Sequence, residues 1–191
     1  MRYVLNICLL LLLAFPAFAA EDEGLYDPPP PAGAAWVRNL TGAPLELGAT
    51  SLSDEAYHMV MQGDYDLAGQ PVSIKAGARY SIAPNGLVLT DPELENRARS
   101  LLVLYNLTNM PALDLMTADG KLTVVSGVAA GQVSSRMVQP VQVELAIGSD
   151  GNFLSNLDPI TLQRGASYSI IASDNAGGLA VSLILNETAR P

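Results

Sequence analysis

Pro71-Val72-Ser73-Ile74-Lys75-Ala76-Gly77-Ala78-Arg79-Tyr80-Ser81-Ile82 returns later in the chain as Pro159-Ile160-Thr161-Leu162-Gln163-Arg164-Gly165-Ala166-Ser167-Tyr168-Ser169-Ile170. Pro, Gly, Ala, Tyr, Ser and Ile hold the same six places, and most other differences are conservative, such as Val/Ile and Ser/Thr. In both copies aliphatic residues alternate with polar ones, the period of a strand with one buried face. A glycine interrupts the alternation, and a second alternating run begins around the tyrosine. Each copy therefore reads as strand, turn, strand. A further echo precedes each: Val37 to Leu47 (VRNLTGAPLEL) recurs as Leu104 to Leu115 (LYNLTNMPALDL) with one inserted residue. Two echoes in the same order mark an internal duplication. The expected fold is all-β, with two tandem β-sandwich domains.

The duplication divides the chain. Residues 1–20 read as a secretory signal peptide: Arg2, an apolar run centred on Leu9 to Leu13, and Ala17-Phe18-Ala19 as a small-x-small cleavage site. Residues 21–33 form a Pro-rich extended lead-in, in which Pro28 to Pro31 favour polyproline II and Tyr26 is a candidate to lie against the first sandwich. Domain 1 spans 34–90, a charged linker 91–99, and domain 2 residues 100–191. Expected strands in domain 1 are 35–40, 44–47, 57–62, 64–68, 71–75, 78–83 and 86–89, with Ser51 to Glu55 as a loop. Those in domain 2 are 101–107, 112–116, 121–125, 132–138, 141–147, 158–163, 166–172 and 179–185. Asp119-Gly120 and Asp150-Gly151 supply the positive φ of tight hairpins. At roughly 60 residues the first domain is small for a core without disulfides, so it is expected to lean on its neighbour.

Composition narrows the function. The single cysteine, Cys8, lies within the leader, so the mature protein is exported yet thiol-free, which suits a bacterial periplasm. Once the leader is gone the chain has no membrane-spanning segment. The formal net charge is −9, and loss of Arg2 takes it to about −10, a field that disfavours nucleic acid and anionic lipid surfaces. It also disfavours non-specific capture of a polyanionic polysaccharide.

No motif carries catalysis. The one histidine, His58, sits in an alternating run as an outward-facing strand residue. A general base needs a nearby Ser and an orienting carboxylate, and neither a Gly-x-Ser-x-Gly elbow nor an Asp-x-x-His pair is present. One histidine without thiols does not make a zinc site. Asp64/Asp66 and Asp150/Asn152 lack the full oxygen set of a calcium loop, and no cofactor is implied. Asn39-Leu40-Thr41, Asn106-Leu107-Thr108 and Asn186-Glu187-Thr188 match the glycosylation triplet. Repetition of the first two favours a structural role, with Asn and Thr side chains bonding the backbone where a strand ends. The residues leave two readings open, a protein-interaction module or a carbohydrate-binding module. Trp36, the only tryptophan, is a candidate sugar platform, although its alternating context favours the sandwich core.

A family resemblance bears on that choice. Leu25-Tyr26-x-Pro28, Pro31-x-Gly33-x-x-Trp36-Val37-Arg38, Ala98-Arg99-Ser100-Leu101-Leu102, Thr117-Ala118-Asp119-Gly120-Lys121 and Pro159 to Gly165, in this order, resemble the AlgF family. The stretch from Trp36 to Leu40 is shorter than the family's usual run before its asparagine. The resemblance implies a periplasmic accessory protein of exopolysaccharide O-acetylation, with alginate as the polymer. Its implied partners are a membrane O-acyltransferase complex and SGNH-type periplasmic acetyltransferases, and it implies no active site. Beside this adaptor role stand direct contact with the polysaccharide and a role as an acetyl carrier on a Ser, Thr or Tyr hydroxyl. Candidate binding residues are Trp36 and, as surface cations in an acidic chain, Arg38, Arg97 and Arg99.

Overall fold

The structure, a computed structural model, describes residues 29–187. The leader, residues 21–28 of the lead-in with Tyr26, and Thr188 of the third Asn-x-Thr triplet lie outside the described residues. Residues 31–187 form one compact unit built of strands, with no helix among the described residues.

Its first half contains β1 (Ala34–Asn39), β2 (Leu45–Leu47), β3 (Thr50–Leu52), β4 (His58–Met61), β5 (Gly63–Leu67), β6 (Gln70–Ile74), β7 (Arg79–Ile82) and β8 (Val88–Thr90). The second half contains β9 (Ser100–Leu107), β10 (Ala112–Thr117), β11 (Thr123–Ala129), β12 (Gln132–Val138), β13 (Gln142–Val143), β14 (Leu145–Ser149), β15 (Asn152–Asn156), β16 (Ile160–Thr161), β17 (Ser167–Asn175) and β18 (Gly178–Leu185). Each half has an inner four-stranded sheet of the same construction, ordered β4-β1-β7-β8 in the first and β12-β9-β17-β18 in the second. In both, the two central strands run parallel, β1 with β7 and β9 with β17, and the flanking strands antiparallel. The hairpins β2-β3 and β5-β6 cover the inner sheet of the first half. The sheet β11-β10-β14-β15 covers that of the second, with the short pair β13-β16 beside it.

The repeated motif holds the same contacts twice. Ile74 and Leu162 enter the cores of their own halves, joined there by Tyr80 with Ile82 and by Tyr168 with Ile170. The chain then turns at Gly77 (φ +77°) and Gly165 (φ +73°), a left-handed conformation that a Cβ disfavours. Across each turn the tyrosine hydroxyl accepts a backbone N–H, from Lys75 to Tyr80 at 3.2 Å and from Gln163 to Tyr168 at 3.0 Å. The Asn-Leu-Thr triplets are likewise structural. Asn106 donates to the carbonyls of Met110 and Val128 and accepts from the amide and hydroxyl of Thr108. Asn39 does the same with Ala43, Leu52 and Thr41. Each asparagine is buried and ties the end of an inner strand to the covering layer.

One expectation is corrected by the packing. The strand that ends each repeat was read as having one buried face, but Tyr80, Ser81 and Ile82 are all buried, as are Tyr168, Ser169, Ile170 and Ile171. The cause is a third core. Leu40, Leu89, Leu101, Val103, Tyr105 and Ile171 come from the outward faces of the two inner sheets and pack against one another. Strands β1 and β9 thus lie between cores on both sides, which is why β9 reads as the near-continuous apolar run Leu101 to Tyr105. Each fully buried aliphatic side chain here contributes about 1.5–3 kcal/mol, and this shared core is what a small first half without disulfides leans on. From Trp36 to Asn39 the first half has two fewer residues than the matching stretch Leu101 to Asn106. A difference of two leaves every side chain on its own face of the sheet.

Other differences are local. Thr50 to Leu52 form a strand where a loop was expected, because Leu52 is fully buried against the inner sheet. The expected strand 141–147 is split into β13 and β14, and β15 adds a strand that its exposed side chains did not signal. The Asp150-Gly151 turn has positive φ at both residues and joins β14 to β15.

Replacing Asn106 by Ala is expected to lower unfolding free energy by about 2–4 kcal/mol, because buried backbone groups of Thr108 and Val128 lose their partner. A lower urea midpoint at unchanged slope would report it; a midpoint within error of wild type would mean that the triplet does not brace the fold.

Candidate functional site

The shared core has a polar centre. Arg38, on the outward face of β1, is 0% exposed. Its Nε donates to Ser81 Oγ at 2.7 Å, one terminal nitrogen donates to Asn186 Oδ1 at 2.7 Å, and the other donates to Tyr105 Oη at 2.7 Å and Ser169 Oγ at 2.8 Å. The hydroxyls pass the bonding on. Ser81 and Tyr57 donate to Asp91 Oδ2 at 2.6 and 2.7 Å, and Tyr105 donates to Asp91 Oδ1 at 2.7 Å. Arg38 Nε and Asp91 Oδ2 are 3.9 Å apart, one cation and one anion bridged by hydroxyl groups. Every buried side-chain nitrogen and oxygen among the described residues has a partner.

The electrostatics suit permanent donors and acceptors. Burial first, and Asp91 with Tyr105 after it, push the Tyr57 phenol far above its ordinary range, and burial does the same to Tyr105. Both hydroxyls therefore remain proton donors to Asp91. Burial works against the charge on Arg38, yet Tyr105, Tyr57 and Asp91 around it outweigh that and raise its pKa. The guanidinium also lies over the rings of Tyr57 (4.8 Å) and Tyr105 (5.2 Å), a favourable arrangement in a desolvated site.

The duplication is visible in this arrangement. Arg38 and Tyr105 each stand one residue before the buried asparagine of their copy, and they bond to each other. Ser81 and Ser169 are the same position of the repeated motif, and both bond to Arg38. The halves therefore meet like to like. The reading of Arg38 as a surface docking residue is corrected: alternation placed it opposite the first sandwich core, and the second half covers that face.

Beside this buried cluster runs a groove of about 920 Å³, where the two Gly turns of the repeat, at Gly77 and Gly165, lie along one depression. Trp36, Arg79, Arg97, Arg164, Leu94 and Leu185 are among its walls, with Glu93 and Glu187. Trp36 is half-buried here rather than in the first sandwich core, because it shares the outward face of β1 with Arg38. The Arg79 guanidinium lies between aromatic rings, 5.5 Å from the Trp36 centroid and 5.0 Å from that of Tyr57. Of the residues singled out in the sequence, the structure brings Trp36 and Arg97 together in the groove. Arg99 stays outside it, exposed, with its carbonyl accepting the Gly165 amide. Arg79 and Arg164 escaped notice. Their signal lay in the motif itself: they are non-conservative differences between its copies, each beside a Gly turn.

Chemistry elsewhere is sparse. His58 Nε2 lies 2.7 Å from Asp54 Oδ1, and this hydrogen bond, followed by one from the Ala56 amide, lowers the Asp54 pKa. Among the described residues no group of three or more His, Cys, Asp or Glu is placed to hold a metal ion.

Replacing Arg38 by Met is expected to cost about 3–5 kcal/mol, since it leaves Asp91 buried without its cation. The Arg38→Met/Asp91→Leu pair should cost less than the sum of the two single changes. Additive losses in chemical denaturation would show that the two charges do not act as one unit.

The sequence model of the family described as Alginate O-acetyl transferase AlgF matches residues 7–169. Alginate biosynthesis protein AlgF of Pseudomonas aeruginosa is 34% identical over 89% of this chain and 88% of its own length. Its namesake from Pseudomonas syringae pv. tomato is 30% identical over 88% of this chain and 83% of its own. That of Pseudomonas putida is 30% identical over 90% and 87%. The solved C-terminal domain of AlgF from P. aeruginosa, 32% identical, covers 47% of this chain and 99% of its own with a TM-score of 0.43. A family model matched over most of the chain, and relatives matched along nearly their whole length, make this chain a member of the AlgF family.

Proposed function

We propose that this chain is a periplasmic, non-catalytic adaptor for O-acetylation of an exopolysaccharide, alginate by its family, and that it docks a membrane O-acyltransferase complex to SGNH-type acetyltransferases. The observation that carries this reading is how the hydroxyls of the shared core are used. Ser81 Oγ accepts from Arg38 and donates to Asp91, and Ser169 Oγ accepts from Arg38 and donates to Asn186. A nucleophilic hydroxyl needs a lone pair directed at its substrate and a base to take its proton. Ser81 has a carboxylate beside it, but its lone pair faces a guanidinium and both serines are 0% exposed. The polar residues that would serve chemistry in a hydrolase here hold two halves in one body. Such a body offers partners fixed surfaces, which is what an adaptor requires.

Direct contact with the polysaccharide is a second reading, favoured by Trp36 beside three arginines in the groove. The Arg79 guanidinium over the indole occupies a face that a sugar ring would use.

Cross-linking and pull-down with the mature protein from periplasm and inner membrane should recover acetyltransferase components; recovery of none would remove the adaptor reading. Incubation with an acetyl donor should leave the intact mass unchanged, and a stable gain of one acetyl group would instead support a carrier.

A further inference from the structure

We infer that the groove along the two Gly turns is the docking site for an extended acidic segment of a partner protein, an inference that rests on the adaptor reading above. Charge is the first reason. The chain is strongly acidic, yet of the eight lysines and arginines among the described residues three, Arg79, Arg97 and Arg164, line this one groove. None of the three forms an ion pair with another described residue. Arg97 and Arg164 are exposed, so they are open to carboxylates, and guanidinium groups match those bidentately. Arg79 differs in being held between Trp36 and Tyr57. Its orientation is set before binding, which lowers the ordering cost of a complex.

The rest of the lining distinguishes a peptide from an acidic sugar chain. Leu94 and Leu185 give the walls apolar positions between the charges, and Glu93 and Glu187 give acceptors. A peptide brings apolar side chains for the first and amide donors for the second. A uronate polymer carries a carboxylate on every ring and no apolar side chain to set against Leu94 and Leu185. The volume, about 920 Å³, lies within the usual range of a binding cleft. Clusters of arginine reading an acidic motif are a recurring mode of peptide recognition. The rigidity of the base also favours docking: Asn186, on the groove wall, is fastened to Arg38 and Ser169, and the Glu187 carbonyl accepts the Tyr57 amide.

Trp36 is the chain's only tryptophan and sits in the groove, so its fluorescence reports occupancy directly. The mature protein would be titrated with a ten-residue peptide of alternating glutamate and leucine, its lysine-leucine counterpart, and an oligomannuronate of equal carboxylate count. Expected is a saturable, salt-sensitive change with the glutamate peptide alone, weakened about ten-fold or more in Arg97→Glu/Arg164→Glu and retained in Lys121→Glu, whose cation lies outside the groove. No saturable change, a change equal in the double variant, or stronger binding of the oligomannuronate would overturn the inference. A parallel pull-down separates it from the adaptor reading. Capture of acetyltransferase components by wild type and double variant alike would leave the adaptor and remove the groove. Capture by neither would remove the adaptor, and the titration would decide the groove alone.

Discussion

The structure depends on one buried cation. Arg38 lies with Asp91 and a ring of hydroxyl groups in the core between the two inner sheets, and it reaches four side chains, three from strands β7, β9 and β17 and one from Asn186, just after β18. Moving a guanidinium out of water costs several kcal/mol unless its donors and its charge are met. Here Ser81, Ser169, Tyr105 and Asn186 meet the donors, and Asp91 meets the charge through hydroxyls polarised at both ends. The packing of the two halves brings all of these together. Leu101, Val103 and Ile171 add apolar burial to the same core, whereas the polar centre disfavours other registers, because a slipped sheet would strand a charge.

That constraint explains why a duplicated small fold remains a single body. Two copies of one sandwich, each with an inner sheet that buries side chains on both faces, pack against each other. They pack through the faces that are equivalent by ancestry, so repeat positions pair with repeat positions, Ser81 with Ser169 around Arg38. The copies differ at the place where symmetry would fail. One side supplies the guanidinium and the other the phenol, since two arginines at these places would repel each other in a dry core. The groove is formed by the same event. The Gly turns of the two copies come side by side only when the halves are packed, and the groove with its three arginines exists only between them.

Much of the framework was readable from residues. The motif at Pro71 and Pro159, the Asn-Leu-Thr triplets and the Asp-Gly hairpins are signals set largely by near neighbours, although each triplet asparagine also reaches the covering layer, at Leu52 or Val128. The site was less readable. Arg38 reaches Ser81, Tyr105, Ser169 and Asn186 across 43, 67, 131 and 148 positions. No local pattern separates such an arginine from a solvated one on the open face of a strand. The apolar run Leu101 to Tyr105 did carry the information that its strand is buried twice, but it names no partner. Arg79 and Arg164 differ again: the motif marked them as departures from the repeat, without saying that the two departures meet.

The sequence by itself determined the class of fold, its duplication, the turns and the scarcity of catalytic groups, because these follow from period, glycine placement and residue inventory. Tertiary structure decided which face of each inner sheet meets the other, that Arg38 and Asp91 are interior, and that a basic groove lies along their edge. The reason is physical. Alternation along a strand says that two faces differ, but what covers the second face depends on another sheet far along the chain, and only the folded molecule brings that sheet into contact.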